Sequence, residues 1–444
     1  TVKLLRWASV ALLAVSHINS RNASIVGSET LSRIPNNFHV SYRLANTDYG
    51  PAGAVKALSA WESSGDLQKM SALVGIASSR GAKVVSPIAN LYNLPVTSFD
   101  APNRELADKA MYPTFSRTNP GSAPMFRAMA GIFQYFGWSA FNILSDDSPT
   151  SMTHMSELMT AANEHGISVV TTHVFLEGGT SSSEKLHAGM EIEKAVKALA
   201  SVMRNSSSAS RSLVTVFFSF QSKDMAQVLE YGMQQEIMGE GFVWLHVDRG
   251  IHLENLLNSR AAAGFLRMSF RPTSHRTADN ALDKTDDRNV IWHEAIAEWG
   301  EYMQTNMKWL QCDDCSPWQD KVLAKSSRAA VEADAAALDS AYDAIWATVI
   351  GLASARQAGD PDVTTHIRTG GNKGGFQGAS GVVSFDADGE RASLGLTYSL
   401  ENIQGATQHD HVSHLGTYEE SRGFKREIGA LPYWKGGRMG WDAP

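Results

Sequence analysis

The sequence predicts an α/β protein made of two doubly wound parallel-sheet lobes. Three observations carry this. Apolar strand-like runs alternate with amphipathic helical runs along the first 250 residues. The alternation breaks at the turn-rich stretch SDDSPTS (145–151) and then restarts. The chain is 444 residues long, 43% hydrophobic and 19% charged, which suits a globular chain of two domains of roughly 200 residues each.

The elements follow in order. The apolar run WASVALLAV (7–15) is too short to span a bilayer. With Lys3 and Arg6 ahead of it, that run could be a secretory signal core. It passes instead into the polar SHINSRN without a small-residue cleavage site, so an amphipathic or buried helix is the preferred reading. FHVSYRLA (38–45) reads as a strand, 53–64 as a helix, 71–77 as a strand, 78–93 as a helix and PVTSF (95–99) as a strand. Helix 124–137 and strand 139–146 complete the first series.

The second series has helices over 151–166, 184–205 and 224–236, with strands over 167–175, 212–220 and 241–248. Long helices are predicted from NVIWHEAIAEWGEYMQTNMKWLQ and AAALDSAYDAIWATVIGLASARQAG, and a glycine-rich tail turns at Asp388-Gly389 as a hairpin.

Charge and motif exclude several functions. A net charge of −7 leaves no basic face for nucleic acid or an anionic membrane. Neither a dinucleotide nor a P-loop fingerprint occurs, nor any zincin, nucleophile-elbow or kinase set, so an enzyme is not expected, and no cofactor is expected either. Asp386-Ala-Asp388-Gly389-Glu390 lacks the spacing and distal Glu of a calcium loop. His409, His411 and His414 lack an evident further ligand, so no metal is assigned. The two cysteines, Cys312 and Cys315, have no second pair to complete a zinc site, leaving a small surface disulfide or two free thiols. Asn22 and Asn205 open glycosylation sequons that lean towards an exterior location.

Candidate ligand contacts lie where strands pass into helices. Ser78 and Ser79 would present hydroxyls and free backbone N–H groups to a carboxylate or other anion. Ser98, Asp100 and Ala101 end the next strand on the same side. From the second lobe come Asp147, Ser219, Gln221, Trp244 and Asp248. Two lobes offering strand ends to one cleft would form a small-molecule clamp that closes by hinge motion.

At these residues the chain resembles the type I periplasmic-binding-protein fold (the Venus flytrap), in the receptor ligand-binding branch shared by class C G-protein-coupled receptors and receptor guanylyl cyclases. ALLAVSHINSRN resembles that family's first helix, and NLPVTSFDAPNRELADKAMYPTFSRTNP its strand-turn-strand block. FGWSAFNILSDD and YGMQQEIMGEGFVWLHVD are similar to second-lobe strands. YDAIWATVIGL and FQGASGVVSFDADGER are similar to the wording of metabotropic GABA receptor ectodomains.

The resemblance implies a multi-strand hinge, with lobe 1 over 1–140 and 273–380 and lobe 2 over 141–272 and 381–444. It implies an extracellular receptor domain that signals by closure on a small molecule, with a homo- or heterodimer through lobe 1 and any membrane segment outside this chain. Amino-acid-sensing members carry hydroxyl residues where this chain has Ala101 and Pro102, which disfavours a free α-amino acid. A ligand-less interaction subunit of the same fold and a solute-binding protein of a transporter are the alternatives.

Overall fold

The computed structural model describes residues 2–47, 50–176, 182–205, 214–218, 222–238, 241–247, 263–271, 295, 312–313, 335–392, 396–403, 412–427, 433–434 and 438–439. Two compact units emerge. The first takes the described residues up to Gly121 and those from 295 to 392; the second takes Ser122 to Arg271 and those from Leu396 onwards.

In the first unit, α1 (Val2–Asn19) is followed by α2 (Gly27–Ser32), β1 (Leu44–Ala45), α3 (Pro51–Ser63), β2 (Leu73–Gly75), α4 (Ser79–Leu91), β3 (Val96–Ser98) and β4 (Phe115–Arg117). Strands β2, β3 and β4 are parallel neighbours in that order. The pleat divides their side chains between two layers. Leu73, Val96 and Phe115 pack with Ala54 and Leu58 of α3 and Val85 of α4. Val74, Ala77 and Phe99 pack on the other side with Trp7, Val10 and Leu13 of α1. The run over 7–15 is therefore a buried helix.

The second unit begins with α5 (Ser122–Tyr135) and continues through β5 (Ala140–Asp146), α6 (Pro149–Glu164), β6 (Ser168–Phe175), α7 (Ser182–Asn205), β7 (Val214–Phe218), α8 (Ser222–Gln234), β8 (Val243–Val247) and β9 (Leu266–Arg271). The chain then supplies the first unit with β10 (Cys312–Asp313), α9 (Ala335–Ala358), α10 (Val363–Arg368), β11 (Phe376–Gly378) and β12 (Gly381–Val383). It returns to the second with β13 (Thr397–Ile403), β14 (Val412–Glu419) and β15 (Gly423–Arg426), followed by a short antiparallel pairing of Tyr433–Trp434 with Arg438–Met439.

The second unit's sheet runs β15-β14-β13-β9-β8-β7-β5-β6, parallel from β9 to β6 and antiparallel from β9 to β15. Along β7, Val214, Val216 and Phe218 face α5 and α6, while Phe217 faces α7 and α8 with Trp244 and Phe265. A fully buried strand, apolar but for Thr215 and covered on both sides, suits a parallel sheet. The α/β alternation is confirmed, and the antiparallel extension β13 to β15 is an addition to it.

Two expectations change. FHVSYRLA yields only Leu44–Ala45, whose parallel partner is equally short. Before it, Asn19 brackets Val40, its Nδ2 donating to the Val40 carbonyl at 2.9 Å and its Oδ1 accepting the Val40 N–H at 2.8 Å. A side-chain amide there replaces a strand neighbour. The unit boundaries also fall elsewhere. The first lies at 121/122 rather than 140/141, because Met125, Phe126, Met129 and Phe133 of α5 pack on the second sheet and Gly131 lets Tyr418 lie against that helix. The segment to Ala392 stays with the first unit rather than leaving after 380, because Arg391 donates to the Thr118 carbonyl at 3.0 Å. The predicted helix 289–311 falls outside the described residues apart from Ala295.

Helix α1 is anchored at its end by His17, whose Nδ1 lies 2.8 Å from the Tyr342 hydroxyl of α9. Burial lowers the His17 pKa from 6.5 to about 4. The unfolded chain therefore takes up a proton that the folded chain refuses. Stability is full above pH 6.5 and falls as the pH drops from 6.5 towards 4. Denaturation midpoints measured across that range should flatten in His17→Gln.

Candidate functional site

The sequence builds a compact polar corner at the carboxyl ends of β2 and β3. Gly75 closes β2 at φ +126° and Ile76 follows at φ +27°, a region that a β-branched side chain rarely enters. Strain of this kind concentrates at ligand-facing loops. Ser78 caps α4, its Oγ accepting the Gly81 N–H at 3.4 Å. Ser79 is half-buried, and its Oγ accepts the Asn103 N–H at 3.2 Å.

Ser98 is fully buried: its Oγ donates to the Ile76 carbonyl at 3.0 Å and accepts the Asp100 N–H at 3.3 Å. The serine thus ties the strained end of β2 to the turn after β3. Asn103 caps the short 3-10 turn Arg104–Ala107 by accepting the Glu105 N–H at 2.8 Å. Five predicted residues, Ser78, Ser79, Ser98, Asp100 and Ala101, therefore come together. The roles of two are spent inside the protein: the Ser98 hydroxyl is committed, and the Ala101 side chain is fully buried. Asp100 is partly exposed beside Ser79's partner loop.

Sequence reasoning missed the group that holds this corner. Arg117 is 1% exposed at the end of β4. Its Nη1 donates to the Ala101 carbonyl at 2.5 Å and to the Asn103 carbonyl at 3.1 Å, while Nε donates to Glu390 Oε2 at 2.6 Å and Nη2 pairs with the same carboxylate. A planar fork suits this set of acceptors. No local signal in MYPTFSRTNP flags it, because its carboxylate partner lies 273 residues away.

Beside it Arg368 donates to the Pro113 and Phe115 carbonyls at 2.6 and 3.0 Å, and Lys109 to the Leu106 and Phe115 carbonyls at 2.9 and 3.1 Å. Burial lowers the Lys109 pKa to about 8, helped by Arg368.

In the second unit, β5 ends at Asp146, which is buried. Its Oδ1 accepts the Ser148 N–H at 3.0 Å and the Ser148 hydroxyl at 2.6 Å; Oδ2 carries no hydrogen bond among the described residues. Ser148 in turn caps α6 through the Ser151 N–H. The predicted Asp147 is exposed, one position along. Trp244 corrects the sequence reading. It is the second residue of β8, at the strand's amino end, and is 2% exposed. Its indole donates to the Ile237 carbonyl at 2.8 Å and stacks on Phe265, so it serves the core.

Ser219, Gln221 and Asp248 lie outside the described residues, as does Cys315; Cys312 opens β10. Asn22 is exposed, and Asn205 ends α7. Of the three tail histidines, only His414 is described, buried in β14 with Nδ1 3.0 Å from the Ser399 hydroxyl. Among the described residues no three His, Cys, Asp or Glu side chains converge as metal ligands, and no helix is long and apolar enough to cross a membrane.

Comparison with known proteins agrees with this architecture. The chain is 19% identical over 355 residues to gamma-aminobutyric acid type B receptor subunit 1 of Mus musculus, covering 76% of this chain and 32% of that protein. It is 29% identical over 128 residues to retinal guanylyl cyclase 2 of Rattus norvegicus, covering 29% and 11%. To the extracellular calcium-sensing receptor of Bos taurus it is 21% identical over 202 residues, covering 42% and 18%. The chain thus spans about a third or less of the length of these relatives. The model of the receptor family ligand binding region matches residues 6–405, and the chain belongs to that family.

Proposed function

We propose that this chain is the extracellular ligand-binding domain of a receptor, a non-enzymatic module that takes a small molecule on the loops after its parallel strands and signals by closure of its two lobes. The observation that carries the reading is the corner after β2 and β3, where a strained Gly75-Ile76 step, the amino end of α4 and the Asp100–Asn103 turn are held together by buried hydrogen bonds. Open α/β sheets bind ligands at this place. The contacts we assign are Ser78, Ser79 and Asp100 in the first unit and the Asp146–Ser148 turn in the second, and from the sequence alone Ser219, Gln221 and Asp248.

The ligand differs from a free α-amino acid. Ala101 is buried and Pro102 has no N–H, so two groups that would grip ammonium and carboxylate are absent. Each such loss costs about 1–3 kcal/mol of binding. Relatives named for gamma-aminobutyric acid and for calcium suit a fold whose ligands vary. The test is a calorimetric screen of small carboxylates, amines and uncharged metabolites. A hit weakened about tenfold or more by Asp100→Ala supports the reading; a screen empty across all three classes sinks it.

The committed Ser98 hydroxyl and buried Ala101 favour a second reading, a ligand-less subunit that assembles with a ligand-binding sister. Assembly unchanged in Ser79→Ala and Asp100→Ala, with no ligand found, would select it.

A further inference from the structure

We propose that Glu390 is a positioning residue, acting through Arg117 to tie the ligand-facing turn to two of the places where the chain leaves the first unit. The proposal rests on the assignment of the 100–103 turn as a ligand contact.

The chain crosses to the second unit after Gly121 and again after residue 395. Both departures are rooted in one patch. On one side stand Arg117 and Thr118, on the other Glu390 and Arg391 at the end of the 385–391 hairpin. The Arg117 N–H donates to the Gly389 carbonyl at 3.0 Å, and Arg391 Nη1 to the Thr118 carbonyl at 3.0 Å. Thr118 in turn donates its N–H to the Ser98 carbonyl at 2.9 Å and its hydroxyl to the Ser340 carbonyl at 2.8 Å.

Two glycines permit the approach. A side chain on Gly389, which sits at φ +66°, would meet Ser116 and Arg368; one on Gly121 would press on the Arg117 guanidinium and the Glu390 carboxylate. The hairpin is thereby seated on β4 beside its carboxyl end.

One guanidinium serves both ends of this arrangement. Arg117 faces Glu390 with Nε and Nη2, and faces the Ala101 and Asn103 carbonyls with Nη1. Being planar, it cannot turn towards one set without leaving the other. A shift of the 100–103 turn on ligand contact is passed through Arg117 to Glu390, the two residues lying four and five positions ahead of the departures at Gly121 and residue 395, and a shift of the departures is passed back. Buried charged hydrogen bonds make the link stiff.

The test uses amide hydrogen exchange of the whole ligand-free chain. Glu390→Ala removes the carboxylate without touching the 100–103 turn. Exchange at Ala101 and Asn103–Ala107 should rise about tenfold, together with that around Thr118, as one charged hydrogen bond lost would produce. Glu390→Gln, which keeps an acceptor oxygen, should give an intermediate rise and carries the test if the alanine variant does not fold. Val349→Ala, a buried change elsewhere in the first unit, is the control.

The proposal is overturned if Glu390→Ala and Glu390→Gln speed exchange only within 384–392. It is also overturned if Val349→Ala speeds the 101–107 amides equally. No ligand enters this measurement, so an empty ligand screen and a failed exchange result are separate outcomes.

Discussion

Replacing Asp343 by alanine should cost the first unit about 4 kcal/mol of stability, read as a lowered denaturation midpoint followed by tryptophan fluorescence. Asp343 projects from α9, fully buried, into the bend between β11 and β12. Its Oδ1 accepts the Ala379 N–H at 2.6 Å, and its Oδ2 accepts the Ser380 N–H at 3.0 Å and the Ser380 hydroxyl. Burial pushes its carboxyl above the usual carboxylate range; the Arg391 charge and the Ser380 donors pull it back.

The bend is shaped for that carboxylate. A side chain on Gly378 would occupy the space of the Asp343 oxygens, and Gly381 sits at φ +96°. Alanine at 343 would leave two backbone donors unmet and remove the carboxylate that the Arg391 charge stabilises. Asp343→Asn, which keeps the shape, should cost less. A loss below about 1 kcal/mol for alanine would show that the bend holds itself.

Trp346→Ala should cost a similar 3–5 kcal/mol, by a different route. Trp346 heads the fully buried side chains by volume and lies one turn along α9 from Asp343. It fills the layer shared by α1, α9 and the β11–β12 hairpin, with the Tyr342 ring 6.2 Å away. Its removal leaves a void that α9 cannot close, since Gly351 holds the helix against the α10 backbone at Ile367. Trp346→Phe should recover about half the loss. Because Asp343 and Trp346 are neighbours on one helix, the double variant should depart from the sum of the single ones, which thermal and denaturant unfolding would both detect.

The order of strands and helices was legible because parallel strands buried on both sides are rich in apolar and β-branched residues. SLVTVFFSF could scarcely be anything else, and β7 lies within it. FHVSYRLA carries the same kinds of residue, yet a strand also needs a partner, and no property of that octapeptide reveals that β10 is two residues long. The candidate corner was half legible. Ser78 and Ser79 are announced by a strand running into a helix, a local pattern. Arg117 and Glu390 were not, because their pairing joins positions 273 residues apart and each alone reads as an ordinary surface charge. Trp244 misled for the opposite reason: closeness in sequence to Asp248 says nothing about which end of a strand a residue occupies.

His17 touches Tyr342 across 325 residues, and β9 finds its neighbour β13 only after the chain has gone back to complete the other unit. Synthesis therefore delivers α1 with its greasy side bare long before α9 exists to cover it. Neither half can mature until the elements beyond residue 335 have been made, and the usual vectorial route of one finished domain after another is closed to these two units. A nascent polypeptide stopped before residue 335 would hold two incomplete halves, so factors that shield unfinished chains, rather than the speed of local helix formation, would govern its yield.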